Sequence, residues 1–368
     1  MDSDQFTLGI EEEFQIIDPR TRELTNAISQ MMEARQKMDS INIMGELHQS
    51  VVEVASGICQ DIKEARAEVV SNRLAAVRIA QEVGMKIAAA STHPFSRWQE
   101  QQISEGQRYQ ELVGELQDVA RANLIFGLHV HVGIPDREDA IAIFNQARYF
   151  LPHILAMSTS SPFLNGRNTG LQSVRSLIFK RLPRTGIPEA FTSYSEYTSF
   201  IDLLVKTRCV DGERRMWWDL RPHPIYSTLE FRIADLPTRV DDVVAIAALV
   251  QAIVATLMRL HRNNQAWRYY PSALIEENKW RAVRYGVHGK LIDFGRQKEV
   301  PVRDLMREVI DLVAPAANML GSLSELEHLY KILDHGTSAD RQLQVYEETK
   351  SLEAVVDHVL DETVAGVI

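Results

Sequence analysis

Three consecutive glutamates, Glu11-Glu12-Glu13, sit inside an apolar, β-branched run over residues 6–18 that closes on an Asp18-Pro19 turn signal. The run predicts a strand, on which Glu11 and Glu13 share one face while Glu12 points to the other. Two neighbouring carboxylates in a core strand repel each other and are costly to desolvate unless a cation neutralises them. Hard divalent ions such as Mg²⁺ are held by oxygen ligands of this kind. An edge strand with its charges in water is the other meaning of the triplet.

Further segments repeat the theme. Glu46 and Glu53 lie in residues 43–56, a β-branched stretch that reads as one strand or a tight strand pair. Seven apart, they face opposite ways on a regular strand, so serving one site requires a bulge or turn between them. Solvated positions are the alternative for both. His129 and His131 alternate with Leu128, Val130 and Val132, which puts both imidazoles on one strand face, suited to a metal or a phosphate. Glu230 and Arg232 share a face of a strand within residues 227–235, where an acid and an arginine two apart can also simply pair. Glu11, Glu13, Glu46, Glu53, His129 and Glu230 thus recur in the same apolar context. Oxygen-rich ligation with one or two histidines fits Mg²⁺ or Mn²⁺ better than structural zinc. Such ions bridge nucleotide phosphates while arginines take the remaining charge, so phosphoryl transfer is the chemistry this set points to.

The elements that must position these groups are legible in outline. Residues 61–83 form a long amphipathic helix with Asp61 as its cap, followed by a small-residue strand over 86–92 and a polar helix ending near residue 120. A turn-rich loop over 161–170 carries Arg167, and the basic segment beyond it holds Arg175, Lys180, Arg181 and Arg184. Arginines there suit carboxylate or phosphate recognition, a solvated cationic loop being the alternative. Residues 240–261 are almost wholly aliphatic and read as a buried helix, not a membrane span. Asn278, Lys279, Arg281 and Arg284 surround Trp280, and the glycines at 286 and 289 lack P-loop spacing. Residues 334–341 are the polar loop of the C-terminal third that invites a ligand. No Gly/Ser/Pro linker divides the chain, so residues 1–368 are expected to form one domain.

Bulk properties set limits. A formal net charge of -10 argues against a general nucleic-acid binder, although a local cationic pocket remains compatible with it. Two cysteines, Cys59 and Cys209, are too few for a disulfide framework or a thiolate zinc site. No apolar run reaches membrane-spanning length, and the opening Met1-Asp-Ser-Asp4 lacks the features of a signal peptide, so a soluble cytoplasmic protein is expected.

Six ordered motifs carry a resemblance: Gly9-Ile-Glu-Glu-Glu-Phe14, Gly45-Glu-Leu-His-Gln-Ser-Val-Val-Glu53, His129-Val-His-Val-Gly133, Ser161-Pro-Phe-Leu-Asn-Gly-Arg167, Thr228-Leu-Glu-Phe-Arg232 and Asn278-Lys-Trp-Arg-Ala-Val-Arg284. In that order they resemble the carboxylate-amine ligases of the glutamate-cysteine ligase type 2 family, over nearly the whole chain. The resemblance implies an α+β fold of the glutamine synthetase type, with a curved, mainly antiparallel sheet forming a funnel and helices packed outside. It also implies ATP, Mg²⁺ or Mn²⁺, small-molecule substrates and self-association, for instance as a dimer. By the same resemblance Glu13, Glu46 and Glu53 look like ligands of one metal, and Glu11, His129 and Glu230 like ligands of the metal that bridges the nucleotide phosphates. Arg232 resembles the arginine that stabilises the transferring phosphoryl group, and His131 would lie beside the phosphates. Arg167 and Arg175 are looser matches for the substrate carboxylate, as are Arg281 and Arg284 for the nucleotide. The implied reaction activates a carboxylate, such as the γ-carboxylate of glutamate, as an acyl phosphate, which an amine such as cysteine then attacks. A metal-dependent hydrolase of an amide or amidine, with the histidines activating water, is the competing reading, and a non-catalytic binding protein is a third.

Overall fold

The computed structural model describes residues 6–36 and 42–367; the opening Met1-Asp-Ser-Asp4 lies outside them. The central element is a sheet of seven strands, β1 (Leu8–Ile17), β2 (Ile43–Gly45), β3 (Val51–Ala55), β4 (Lys86–Ala88), β5 (Leu128–Gly133), β6 (Leu220–Pro222) and β7 (Thr228–Phe231). Their order is β6-β7-β5-β1-β3-β2, every pairing is antiparallel, and β4 pairs with the far end of β1. The architecture is therefore α+β with a mainly antiparallel sheet, as expected.

Alternation along β1 decides which face goes where. Leu8, Ile10, Glu12, Phe14 and Ile16 are buried on one side, while Gly9, Glu11 and Glu13 are half-buried on the other. Val52 and Val54, Val130 and Val132, and Leu229 and Phe231 continue the apolar face into the main core. The helices Ile62–Glu82 and Val240–Arg262 pack there. Contrary to the expectation that no apolar run reaches membrane-spanning length, Val240–Arg262 is, among the described residues, long and apolar enough to cross a membrane; 89% of its most apolar window is buried inside the protein, which agrees with its reading as a buried helix.

Glu12 is the exception on the apolar face, and it is neutralised within it. Arg73 of the Ile62–Glu82 helix donates from Nη2 and Nε to its carboxylate at 2.6 and 3.0 Å, with Glu12 1% and Arg73 0% exposed. Arg73 Nη1 donates to the Thr238 carbonyl at 2.6 Å, so the guanidinium's remaining proton donors are also satisfied inside the core. A buried pair of this kind is costly to form but far costlier to break, about 3–5 kcal/mol when one partner is removed.

Several expected elements differ in extent. Residues 43–56 form a hairpin of β2 and β3, which supplies the turn that Glu46 and Glu53 need. The strand expected over 86–92 is limited to Lys86–Ala88, because beyond it the backbone bonds to side chains: the Ala90 carbonyl accepts from Gln15 Nε2 and the Ser91 N–H donates to Ser160 Oγ. The polar helix near residue 120 is broken at Gln117, whose φ of 51° no helix accommodates. Residues 334–341 form a helix junction in which Asp340 and Thr337 cap the next helix and Asp340 also bonds His288 at 2.9 Å, so this loop is a structural joint and not an open ligand loop.

Candidate active site

Cross-strand register brings the predicted acids and imidazoles together. In antiparallel pairs, directly opposed residues share a face. Glu13 opposes Glu53, Glu11 opposes His129, and His131 is opposed by Gly9 on one side and Glu230 on the other. Six polar side chains contributed by β1, β3, β5 and β7 therefore converge on the face away from the helical core. Glu46 follows β2 directly, its carboxylate accepting the N–H of Leu47 at 3.0 Å. Its charge reaches both Glu13 and Glu53.

Two sub-clusters are distinguishable. In the first, burial and then the charge of Glu46 push Glu13 up to about 7, and the same two causes raise Glu53 well above the usual carboxylate range. Three acids with too little counter-charge are what a divalent cation would relieve. Gly127 closes this end: its N–H donates to Glu13 Oε2 at 2.6 Å, and a Cβ there would meet Arg175 Nη2 at 2.6 Å, so a side chain would push the guanidinium out of its present place.

In the second, Glu11, His131 and Glu230 offer ligand atoms that all lie within 4.8 Å of one another, the group of this kind among the described residues. Glu11 Oε2 is 3.0 Å from His129 Nδ1, and Oε1 is 3.2 Å from His131 Nε2. Burial opposes ionisation of Glu11, but hydrogen bonds from the two histidines outweigh it and hold the carboxyl far below its ordinary range. Burial opposes protonation of His131, but its contact with Glu11 and the charges of Glu230 and Glu11 outweigh it and raise its pKa, so a metal taken up on Nε2 would displace a proton there. The resemblance assigned the metal to His129 and the phosphates to His131. In this geometry Glu11 contacts both rings, His129 through Nδ1, which is also 4.0 Å from Glu230, and His131 through Nε2. Burial, followed by the charge of Arg232, pushes His129 down to about 4, so it stays neutral.

Glu230 does pair with Arg232, the plainer of its two sequence readings. It also pairs with Arg221, which the sequence reasoning missed. Arg221 opposes Glu230 across β6 and β7 and donates from Nε to Oε2 at 2.6 Å. The position was readable as an arginine flanked by Leu220 and Pro222 beside the Glu230 strand. Burial opposes ionisation of Glu230, and Arg232 and Arg221 together overcome it.

The buried cations form a second tier. Arg175 donates from Nη2 to the Arg232 carbonyl at 3.1 Å and from Nη1 to the Ile233 carbonyl at 3.3 Å, placing it against Glu13. The Nε atoms of both Arg175 and Arg232 are buried with no partner, leaving two guanidinium donors unused beside the acids. Lys279 is anchored on Asp219 at 2.6 Å, and the Asp219 carbonyl accepts the Arg232 N–H at 2.8 Å, so this pair braces the arginine strand. The remaining predicted cations lie elsewhere. Arg167 is exposed in the hairpin of Phe163–Leu164 and Arg167–Asn168. Arg281 is half-buried and held by Glu277 at 3.0 Å and by Glu299, while Arg284 donates to the Gly170 carbonyl. In that motif the buried polar side chains are Asn278 and Lys279.

Comparison with known proteins identifies the family and the fold. The sequence profile of glutamate-cysteine ligase family 2 matches residues 7–358. A relative from Sorangium cellulosum, provisionally named glutamate–cysteine ligase 2, is 56% identical over 364 residues, covering 98% of this chain and 97% of its own. A second of the same name, from Herpetosiphon aurantiacus, is 52% identical over 362 residues, covering 98% and 94%. Among solved structures, a glutamate–cysteine ligase from Francisella tularensis in complex with AMP superimposes with a TM-score of 0.70 at 13% identity, over 98% of this chain and 89% of the other. A bifunctional glutathione synthetase from Pasteurella multocida gives 0.69 at 13% identity, over 99% of this chain and 53% of the other. At that identity the two structures bear on the fold, and the relatives bear on the family. The chain is an enzyme of the carbon–nitrogen ligase type and belongs to glutamate-cysteine ligase family 2.

Proposed function

We propose that this enzyme is an ATP-dependent carboxylate–amine ligase that phosphorylates a substrate carboxylate, such as the γ-carboxylate of glutamate, and joins the acyl group to an amine such as cysteine. The observation that carries the reading is the pairing of an acid-rich, imidazole-bearing sheet face with two buried arginines whose Nε donors are unused. A water-activating hydrolase requires neither this many carboxylates nor two buried guanidinium groups, and the family profile also points away from it. The AMP found in the Francisella tularensis neighbour supports nucleotide use.

Glu13, Glu46 and Glu53 would hold one Mg²⁺ or Mn²⁺, and Glu11 and Glu230 with His131 or His129 a second. Bound there, the ions would draw charge off the nucleotide phosphates. The chain's own groups do the rest. An oxygen of the substrate carboxylate forms a bond to the γ-phosphorus as the bond to the ADP oxygen breaks, and Arg232 is placed to bind the charge on the transferring group. To do so its guanidinium exchanges part of its contact with Glu230 for the anion, and Arg221 keeps Glu230 neutralised meanwhile. Arg175 binds and orients the substrate carboxylate. The amine nitrogen then bonds to the acyl carbon, phosphate leaves, and the amine loses a proton. Hydroxylamine supplied as the amine tests the intermediate directly: a hydroxamate of glutamate formed in step with ADP supports the acyl phosphate, and ADP release without hydroxamate contradicts it. The same reading places the enzyme in the cytoplasm, as one self-associating catalytic unit.

A further inference from the structure

The turn joining β6 to β7 carries His223, Ile225 and Tyr226 within four residues. His223 Nδ1 accepts the backbone N–H groups of Ile225 at 3.2 Å and Tyr226 at 2.9 Å, which curls the turn back and leaves the neutral ring's proton on Nε2. The Tyr226 ring stacks on His223, with centroids 4.6 Å apart and planes inclined by 11°. His223 in turn meets His131 edge-on at 5.3 Å. His131 lies 3.2 Å from Thr228 Oγ1 through one nitrogen and 3.2 Å from Glu11 through the other. A continuous row of rings therefore runs from the Glu11–Glu230 cluster to the outer end of the sheet.

The outer end of that row is open. Tyr226 is 57% and Ile225 56% exposed, so a fixed aromatic plane and a neighbouring aliphatic side chain face solvent beside a buried charged site. Scattered apolar side chains on a surface need no explanation, but a stacked pair locked by two backbone hydrogen bonds and continuous with a candidate active site is a built platform. A flat ring presents what a nucleobase needs, because every base has a π-face and stacking requires no edge recognition.

We propose that Tyr226, backed by His223, is the platform on which the nucleotide's purine base stacks, with the phosphates running past His131 toward Glu11 and Glu230. The proposal rests on the ATP reading above. It assigns base binding to the β6–β7 turn and not to Arg281 and Arg284, which are engaged with Glu277, Glu299 and the Gly170 carbonyl.

Calorimetric titration of the full chain with Mg²⁺ and either ATP or inorganic tripolyphosphate tests it. Tyr226→Ala is expected to weaken ATP binding about 5- to 100-fold. The same variant should leave tripolyphosphate binding unchanged, and Tyr226→Phe should bind ATP as the wild type does. Because Tyr226 is exposed, an unchanged melting curve is expected for both variants. Wild-type affinity for ATP in Tyr226→Ala, or equal loss for both probes, overturns the platform while leaving the ligase reading standing. A change in molecular mass of Tyr226→Ala by light scattering also overturns it, since the turn would then be a contact between copies. Failure of the wild type to bind ATP at all would remove both readings.

Discussion

Glu13→Gln should make the metal-free protein more stable at alkaline pH, although it removes a candidate ligand. Burial and the charge of Glu46 raise the Glu13 carboxyl from 4.5 to about 7 in the folded state. The folded protein then holds a proton that the unfolded chain releases between about pH 4.5 and 7, so stability is full below that window and falls as pH rises through it. The loss amounts to at most about 3 kcal/mol by pH 8, at 1.36 kcal/mol for each unit separating the folded and unfolded values. Glutamine keeps an oxygen to accept the Gly127 N–H and carries no charge at any pH. With an unfolding entropy of ~2.1 cal/mol/K for each of the 368 residues, relief of that repulsion raises Tm by about 4 °C. Differential scanning calorimetry in EDTA at pH 8 should show this gain, which should vanish about one unit below the unfolded value of 4.5, where Glu13 is protonated in both states. Saturating Mg²⁺ should reverse the order at pH 8, stabilising the wild type more than the variant. A variant that melts at or below wild type at pH 8 without metal would refute the claim that these acids are mutually destabilising.

Mg²⁺ affinity of the wild type, followed by calorimetric titration, should rise as pH increases through about 7, because the ion must displace the proton on Glu13; a flat profile from pH 6 to 8 would count against Glu13 as a ligand. Arg73→Met should cost about 3–5 kcal/mol in urea unfolding by stranding Glu12 in the core, and the Glu12→Leu/Arg73→Met double variant should recover much of it, whereas a single-variant loss below about 1 kcal/mol would contradict the buried pair. Glu230→Gln should abolish metal-supported turnover and also lower the melting temperature, since Arg221 and Arg232 lose their shared counter-charge; near-normal turnover would remove Glu230 from the site.

The alternating residues of the strands were the most legible part of the chain. Period-two patterning put Glu11 and Glu13 on one face and Glu12 on the other, and the register bears that out: Glu13 faces Glu53, while Glu12 is consumed by Arg73. The hairpin between Glu46 and Glu53 was foreseen only as a condition, because propensity does not distinguish one strand from two joined by a tight turn. Cation placement was less legible. Arg175 and Arg281 both lie in basic helical stretches, yet one is buried against Glu13 and the other is bound to Glu277 and Glu299, a difference set by which helix face packs inward. Lys279 and Asp219 acquire their roles only through long-range pairing, which spacing along one strand or helix cannot reveal, whereas Arg221 was within reach of a hairpin register. That Glu11 contacts both His129 and His131 likewise follows from cross-strand register and is not visible in the spacing of the two histidines.

The central claim is that this site couples ATP cleavage to amide formation. ADP release measured with Mg²⁺, glutamate and a panel of amines including cysteine tests it most directly. ADP should form only when a carboxylate and an amine are both present, in equal amount with the amide and with phosphate. Amide or amidine turnover that proceeds without ATP would contradict the account.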